Sequence, residues 1–217
     1  MSIRHLIFDF DGTLYDTAQS IVTVMRLTVE HLRLPAKTDQ QLRSVIGLRL
    51  EEVGGVLFPE KAEKSIEFAA VYREIYKTRP KVHLSHPFPG VIATLCELQK
   101  AGCDMAIASS RSRRSLLEFM DDPLFGPFFR LAVGGDDVRS GKPAPDAIEL
   151  ICSRLRWDPE ETLMIGDARF DLMMGKNAGV RTCGVTYGNG TTAEITGESP
   201  DYIIDEFREL LPIVLSS

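Results

Sequence analysis

The chain has 217 residues, of which 44% are hydrophobic and 26% charged, and its formal net charge is −6 at pH 7. This composition is typical of a globular protein, and the length allows one domain or two small ones. The acidic balance argues against a nucleic-acid or membrane-surface partner, because either would require clustered positive charge.

The four cysteines, Cys96, Cys103, Cys152 and Cys183, are scattered among apolar residues, without a CxxC pair or metal-ligand spacing. We therefore expect buried, reduced thiols. No apolar run approaches the roughly 20 residues of a membrane span. The first strand-like run follows directly after His5, which leaves no room for a signal peptide. These features predict a cytoplasmic protein.

Short apolar runs alternate with helical patterns along most of the chain. Runs at residues 6–8, 103–108, 131–133, 162–165, 181–186 and 202–204 resemble strands buried on both faces of a parallel sheet. Helices are predicted at residues 91–100, 145–155 and 172–178, and the first of these ends just before Gly102. The alternation predicts an α/β fold with an open, doubly wound parallel sheet.

Residues from about 17 to 80 interrupt this alternation with helical patterns alone. We expect a helical cap domain at residues 16–85, inserted into an α/β core domain formed by residues 1–15 and 86–217. The predicted hinges are residues 15–17 and 83–90. The apolar faces of two predicted cap helices consist of Ile21, Met25, Thr28 or Val29, and Leu32, and of Ile66, Ala69, Tyr72 and Tyr76.

Polar clusters follow four of the predicted strands, at the edge of the sheet where α/β folds bind ligands. The first cluster contains Asp9 and Asp11, which are followed by Gly12 and Thr13. Two carboxylates this close repel each other unless a cation or a proton neutralises one of them. A turn or helix cap would explain one aspartate but hardly both.

The second cluster contains Ser109 and Ser110, between a strand and a predicted helix. A hydroxyl and free amide N–H groups at a helix N-terminus can bind an anion. Serine is also a favoured N-cap residue, so a purely structural role for Ser109 is an alternative.

The third cluster centres on Lys142, followed by Pro143, which suits the first turn of a helix. A lysine beside the positive end of a helix dipole is unfavourable unless an anion lies opposite it. Lys142 would supply the local positive charge that an acidic protein needs to bind phosphate. A solvated surface lysine is the alternative.

The fourth cluster contains Asp167 and Asp171, on either side of a turn into a helix. Together with Asp9 and Asp11 they form a set of oxygen ligands that suits Mg²⁺. Two helix-capping or turn aspartates are the alternative for this pair. All four clusters are nevertheless placed at carboxyl ends of predicted strands, which favours one shared site.

These motifs resemble those of the haloacid dehalogenase superfamily over essentially the full length of the chain. Asp9-Phe-Asp11-Gly-Thr13 resembles its first motif, Ser109 its second, and Lys142 its third, while Gly166-Asp167 with Asp171 resembles its fourth. The helical insert is similar to a C1-type cap. Residues 187–190 and 200–205 resemble the tail of the phosphoglycolate phosphatase-like branch.

The resemblance implies a Mg²⁺-dependent phosphatase with strand order 3-2-1-4-5 and a cap that closes over the site. Asp9 would attack phosphorus and form an aspartyl-phosphate, with Asp11 as general acid and base. Ser109, Ser110 and Lys142 would bind the phosphate. The metal ligands would be Asp9, Asp11 through its backbone carbonyl, and Asp167, with direct or water-mediated support from Asp171.

Two other functions remain open at this point. A phosphosugar mutase uses the same four motifs, and a non-catalytic regulator could share the fold, although no motif residue is missing. Phosphoglycolate, a sugar phosphate, a nucleotide and pyrophosphate are all possible substrates. Arg49, in a predicted loop between two cap helices, is the candidate substrate-binding residue of the cap, with a solvated surface arginine as the alternative. The sequence does not indicate the oligomeric state.

Overall fold

The computed structural model describes residues 2–78 and 85–216. Two residues of the second predicted hinge, His83 and Leu84, lie outside this range. The strands of the structure are β1 His5–Phe8, β2 Tyr15–Asp16, β3 His86–Pro87, β4 Asp104–Ala108, β5 Leu131–Val133, β6 Thr162–Gly166, β7 Arg181–Val185 and β8 Tyr202–Ile204. Its α-helices are α1 Ala18–His31, α2 Asp39–Arg43, α3 Leu50–Leu57, α4 Ser65–Thr78, α5 Val91–Lys100, α6 Arg113–Met120, α7 Asp146–Leu155, α8 Arg169–Asn177, α9 Thr192–Gly197 and α10 Leu210–Leu215.

Six parallel strands form the main sheet, in the order β5-β4-β1-β6-β7-β8. The α/β fold with a parallel sheet is therefore confirmed, and β8 extends the implied five-strand order at one edge. Phe8, the last residue of β1, pairs with Ile107 of β4 on one side and with Ile165 of β6 on the other. The residues that follow these three strands therefore meet at one edge of the sheet.

Apolar side chains cover both faces of the sheet because successive strand residues point to opposite sides. Phe8 belongs to the cluster that packs against α5, α6 and α10, whereas its neighbour Ile7 belongs to the cluster formed with α7 and α8. Both side chains are fully buried. This two-sided burial explains why the strands appear in the sequence as nearly continuous apolar runs.

Helices α1 to α4 surround a third apolar cluster of their own. Ile21, Met25 and Val29 of α1 are buried in it, as the sequence predicted. The predicted face of α4 was partly wrong, because Ile66 is 68% exposed and the neighbouring Phe68 is fully buried instead. Phe68 packs in the cluster with Phe58, and this contact fixes the rotation of α4.

The chain leaves and re-enters the α/β part through two adjacent short strands. Tyr15 pairs with Pro87 and Asp16 with His86 in the antiparallel β2–β3 ladder. The pairing lies within the two predicted hinges. The division into a cap at residues 16–85 and a core stays a prediction.

Several predicted element limits differ from those in the structure. The predicted helix at residues 172–178 begins earlier, as α8 at Arg169, and the helix predicted from Pro145 begins at Asp146. Pro143 lies outside the helix, so the prediction that it opens the first turn was wrong. Across the described ranges, no helix is both long enough and apolar enough to cross a membrane.

All four cysteines are free, but they differ in burial. Cys152 and Cys183 are buried as expected, whereas Cys96 and Cys103 are partly exposed. Burial raises the pKa of the Cys183 thiol to about 12, which keeps it protonated.

Candidate active site

The predicted site residues meet at the carboxyl edge of the sheet, as the strand register requires. Asp9 directly follows β1, Ser109 follows β4, and Asp167 follows β6. Their exposed fractions are only 3%, 5% and 1%. Because buried carboxylates are costly unless something compensates them, the arrangement requires a nearby cation.

Asp9, Asp167 and Asp171 form a compact carboxylate cluster. One oxygen from each lies within 4.8 Å of the others, and all three residues are buried. The ammonium group of Lys142 donates to Oδ1 of Asp9 and to Oδ1 of Asp171, the latter at 2.6 Å. Lys142 is itself only 7% exposed, so the alternative of a solvated surface lysine is excluded.

The reason for the position of Lys142 differs from the one that the sequence predicted. The helix that follows, α7, begins at Asp146, four residues after Lys142, so a helix dipole does not account for the lysine. Asp9 and Asp171 hold it instead. Burial alone would lower the pKa of Lys142, but these two carboxylates outweigh burial and raise it, so the side chain stays charged.

The pKa values of the carboxylates are raised because one lysine does not compensate the negative charge of the buried cluster. Burial raises the pKa of Asp9 well above its ordinary value, against the effect of Lys142, and Asp171, Asp167 and Asp11 raise it further. Burial and repulsion from Asp171 raise the pKa of Asp167 to about 7. The cluster would therefore gain stability from an additional cation.

Asp171 also has a local structural role. Its Oδ2 accepts a hydrogen bond of 3.0 Å from the backbone N–H of Ala168, the N-cap residue of α8. A carboxylate in the first turn is favoured by the free N–H groups and the helix dipole. The capping alternative is therefore correct for Asp171, but the same side chain also reaches Lys142.

Asp167 is enclosed by the two loops that follow β1 and β7. Thr13 donates to its Oδ1 at 3.2 Å, and the backbone N–H of Asn189 donates to its Oδ2 at 2.6 Å. The space is so limited that a Cβ at Gly12 would overlap the Asp167 carboxylate and the Asn189 amide. Gly12 also has a φ of +91°, a conformation that L side chains rarely adopt, so only glycine fits between Asp11 and Thr13.

Asp11 lies outside the carboxylate cluster. Both of its oxygens accept hydrogen bonds of 2.7 Å from Arg111, through Nε and a terminal nitrogen. The guanidinium also donates to Tyr76 of α4 at 3.2 Å and to Ser115 of α6 at 3.0 Å. The backbone carbonyl of Asp11, its predicted metal-binding atom, accepts a 3.3 Å hydrogen bond from the Asn189 side chain.

The two serines of the second cluster lie before α6, not at its N-cap. Ser112 caps that helix by accepting from the N–H of Ser115, so the capping alternative does not apply to Ser109. The Ser109 hydroxyl instead accepts a 3.2 Å hydrogen bond from the N–H of Arg111. The Ser110 hydroxyl donates at 2.6 Å to the carbonyl of Gly47, in the loop between α2 and α3.

Arg49 is the N-cap residue of α3 and reaches the α/β part of the molecule. Its two terminal nitrogens donate to the backbone carbonyls of Val138 and Arg139, at 2.8 and 2.9 Å. The alternative of a purely solvated side chain is therefore excluded. The predicted contact with substrate stays a prediction, since both of these hydrogen bonds go to backbone carbonyls of the protein itself.

Two residues that sequence reasoning did not select also belong to the site. Arg111 binds Asp11, and Asn189 contacts both Asp167 and the Asp11 carbonyl. Arg111 follows directly after the predicted Ser109-Ser110 pair, and an acidic protein needs local positive charge to bind phosphate. That position was a usable signal. Asn189 could be linked to the site only through its family-like tail motif.

Comparison with known proteins agrees with the motifs and with the geometry. The model of the family described as "Haloacid dehalogenase-like hydrolase" matches residues 6–185. The chain belongs to this family.

Curated relatives of this hydrolase include several named phosphatases. The protein named "Probable phosphatase IndB" from Dickeya dadantii is 34% identical, with 95% of this chain and 91% of that protein covered. "Phosphoglycolate phosphatase 1" from Pseudomonas aeruginosa is 31% identical, with 96% and 79% covered. "Pyrophosphatase PpaX" from Bacillus velezensis is 33% identical, with 97% and 96% covered.

A solved structure supports the same assignment. The crystal structure of a haloacid dehalogenase-like hydrolase from Bacteroides fragilis aligns with a TM-score of 0.90 at 32% identity, covering 96% of this chain and all of that one. The predicted family and the prediction of a phosphatase-type enzyme are thus confirmed.

Proposed function

We propose that this hydrolase cleaves the phosphate monoester of a small molecule in a Mg²⁺-dependent reaction, through an aspartyl-phosphate on Asp9. The observation that supports this most strongly is the buried cluster of Asp9, Asp167 and Asp171. Ser109 and Lys142 lie beside it at the same edge of the sheet. Carboxylates would bind the metal, and the hydroxyl and ammonium groups would bind the phosphate.

The carboxylate cluster fits a hard divalent cation. Mg²⁺ prefers oxygen ligands and usually retains waters and substrate oxygens in its shell. Asp9, Asp167 and Asp171 would hold it, together with the backbone carbonyl of Asp11. The raised pKa of Asp167, about 7, reflects burial and the repulsion that such a cation would relieve. When bound, Mg²⁺ neutralises charge on the transferring phosphoryl group.

The phosphate would bind among Ser109, the N–H of Ser110 and Lys142. Lys142 is held in place by two carboxylates, so little reorganisation is needed for it to face an anion. A carboxylate oxygen of Asp9 then attacks phosphorus, the bond to the ester oxygen breaks, and the phosphoryl group stays on Asp9.

Asp11 would transfer the protons in both steps. It donates a proton to the departing ester oxygen and later takes one from the water that attacks phosphorus, which releases phosphate and restores Asp9. Since both Asp11 oxygens accept hydrogen bonds from Arg111, at least one of these bonds must open before the proton is donated.

Helices α1 to α4 would act as the cap at residues 16–85, with β2 and β3 at the hinges. Among residues 2–78 and 85–216, hydrogen bonds join the proposed cap to the α/β part through Ser110 to Gly47, Arg111 to Tyr76, and Arg49 to Val138 and Arg139. We propose that these contacts form as the cap closes and exclude water from the site. The cytoplasm is the proposed location.

The relatives support a small phosphorylated metabolite as the substrate, but they do not select one. A phosphoglycolate phosphatase and a pyrophosphatase match this chain at 31% and 33% identity. The substrate must therefore be inferred from residues that line the site.

Phosphate release from p-nitrophenyl phosphate and from a panel of phosphate esters tests the proposal. We expect activity with Mg²⁺, none after EDTA treatment, recovery on Mg²⁺ addition and inhibition by Ca²⁺, whose larger shell would misplace the reacting groups. Full activity after exhaustive chelation would contradict the metal assignment. Transfer of the phosphoryl group between sugar hydroxyls, with little release, would favour the mutase alternative.

A further inference from the structure

A cavity of about 370 Å³ extends from the reacting carboxylates into the helical part of the molecule. Asp9, Asp11, Ser109 and Ser110 line it at the sheet. For comparison, an apolar protein cavity of about 150 Å³ accommodates benzene. The space is therefore sufficient for a phosphate group and for a leaving group that is much larger than two carbon atoms.

The part of the cavity away from the sheet is lined mainly by aliphatic side chains. They come from α1, from the loop between α2 and α3, and from α3. The set includes Ile21, Met25, Val45, Ile46, Leu48 and Val53. Five of these residues also form part of the apolar cluster at 7% exposure or less, which fixes their positions. The lining is thus a packed surface rather than a mobile one.

Tyr72 and Tyr76 of α4 add an aromatic wall. Their rings lie 6.2 Å apart between centroids, with planes inclined by only 12°. The Tyr76 hydroxyl accepts a hydrogen bond from Arg111, which ties this wall to the reaction centre. Parallel rings beside an aliphatic surface fit a flat, apolar group.

Positive charge in the cavity is concentrated at its two ends. At the inner end, Arg111 is bound to both oxygens of Asp11. Arg73, Lys77 and Arg114 also line the cavity, but they are exposed at its rim. Arg49 is not among the lining residues. Because Arg111 is already paired with Asp11, a carboxylate that extended from the transferred phosphate into the aliphatic part of the cavity would face apolar carbon, which is unfavourable for a charge.

We propose that the substrate is a phosphate monoester whose alcohol carries a ring with an apolar face, and that this ring occupies the cavity between Leu48 and Tyr72. This inference rests on the proposed phosphatase function and specifies its substrate class. Apolar contacts remote from phosphorus would hold the ester in place for attack by Asp9.

The test compares esters of similar intrinsic reactivity. Ethyl phosphate and 2-phenylethyl phosphate are both esters of primary alcohols and differ by a phenyl ring. For the purified wild-type protein with Mg²⁺, we expect kcat/KM to be about 10- to 100-fold higher for 2-phenylethyl phosphate, the range expected from burial of one aromatic side chain. Phosphoglycolate should be at least as poor a substrate as ethyl phosphate.

Two variants test whether the cavity causes the preference for 2-phenylethyl phosphate. Leu48→Trp should fill part of the cavity and lower kcat/KM for 2-phenylethyl phosphate much more than for ethyl phosphate, so that most of the preference is lost. Leu124→Trp is the control, because Leu124 is 76% exposed and does not line the cavity. Thermal unfolding of both variants shows whether they are folded. If Leu48→Trp does not fold, the wild-type comparison still decides the proposal.

The results distinguish failure of the ring-bearing substrate from failure of the phosphatase function. Equal kcat/KM values for the ethyl and phenylethyl esters, or a preference for phosphoglycolate, would overturn the ring-bearing substrate while leaving the phosphatase function intact. No hydrolysis of any ester, p-nitrophenyl phosphate included, would overturn the proposed function itself.

Discussion

The edge of the sheet and the helical wall of the cavity differ in how their side chains are held. At the sheet, charged and hydroxyl groups are buried and fixed by one another, as when Lys142 binds both Asp9 and Asp171. In the helical wall, the aliphatic side chains are fixed by packing, and Tyr76 also accepts a hydrogen bond from Arg111. The first region is suited to chemistry that any phosphate ester shares, and the second to selecting which ester enters.

The largest expected effect is on the nucleophile. Asp9→Asn should lower kcat by at least about 10⁴-fold, as loss of a nucleophile does in other enzymes, because an amide cannot form the aspartyl-phosphate. The volume hardly changes, so the thermal midpoint should stay within a few degrees of wild type. Steady-state phosphate release measures the loss. A clean preparation that retains substantial activity would show that Asp9 is not the attacking group.

Asp11→Asn should have a smaller effect, about 10²- to 10⁴-fold on kcat, the usual contribution of an acid–base group. The amide oxygen can still accept from Arg111, so the fold is preserved. Esters with poor leaving groups should lose more activity than p-nitrophenyl phosphate, whose leaving group needs little protonation. An equal loss of activity for both kinds of ester would contradict the role of Asp11 as general acid.

The crowding of carboxylates predicts a pH-dependent stability in the metal-free protein. Burial and Asp171 raise the pKa of Asp167 from 3.8 to about 7. The folded state therefore retains a proton that the unfolded chain releases, and stability falls as pH rises through this range. The loss amounts to at most about 4 kcal/mol, at 1.36 kcal/mol for each pKa unit.

Urea unfolding in EDTA measures this effect, with Asp167→Asn as the comparison. The variant should be more stable than wild type at pH 8, and its advantage should shrink at pH 5, where wild-type Asp167 is protonated. Saturating Mg²⁺ should reverse the order at pH 8, because the cation compensates the wild-type charge. A stability difference that is the same at both pH values in EDTA would contradict this explanation.

The smallest predicted effect concerns Arg49. Arg49 donates two hydrogen bonds to carbonyls of the α/β part, so Arg49→Ala should weaken cap closure. We expect kcat/KM to fall by at least roughly 10-fold, since a hydrogen bond from a charged donor contributes about 1.5–3 kcal/mol. A role in closure requires a similar loss for all esters. A loss for the preferred ester alone would instead support the predicted contact with substrate.

Arg26→Ala provides the control for Arg49→Ala. Arg26 also lies in the helical part, but it is exposed and pairs with Asp39 in the same part of the chain. Its removal should leave kcat/KM unchanged for every ester. A comparable loss of kcat/KM in Arg26→Ala would indicate that Arg49→Ala acts through general destabilisation of the helices.

The site residues at the edge of the sheet could be predicted because they lie where parallel strands end. Asp9, Ser109 and Asp167 each follow an apolar run directly, and parallel strands bring such positions together whatever the intervening sequence. The strands themselves were recognisable because burial on both faces leaves nearly continuous apolar runs. The predicted element ends were less accurate, as the earlier start of α8 shows, and the helix dipole expected beside Lys142 was wrong.

The helical part was less predictable because its contacts depend on helix rotation and on packing between distant residues. The sequence placed Ile66 in the apolar face of α4, but Phe68 has the buried position. It likewise selected Arg49 by its charge and loop position, while the carbonyls that it binds lie about 90 residues away. No local sequence pattern indicates a contact between residues so far apart in the chain. Arg111 likewise lies 100 residues from Asp11, and Asn189 lies 22 residues from Asp167.

The most direct test of the central claim is detection of the phosphorylated enzyme. Asp11→Asn, mixed with p-nitrophenyl phosphate and Mg²⁺ and quenched in acid, should accumulate the intermediate, since the leaving group departs readily but hydrolysis is slow. Mass spectrometry should find one phosphoryl group on the peptide that contains Asp9, and none in the Asp9→Asn, Asp11→Asn double variant. A phosphoryl group on another residue, or nitrophenol release without any phosphorylated protein, would contradict attack by Asp9.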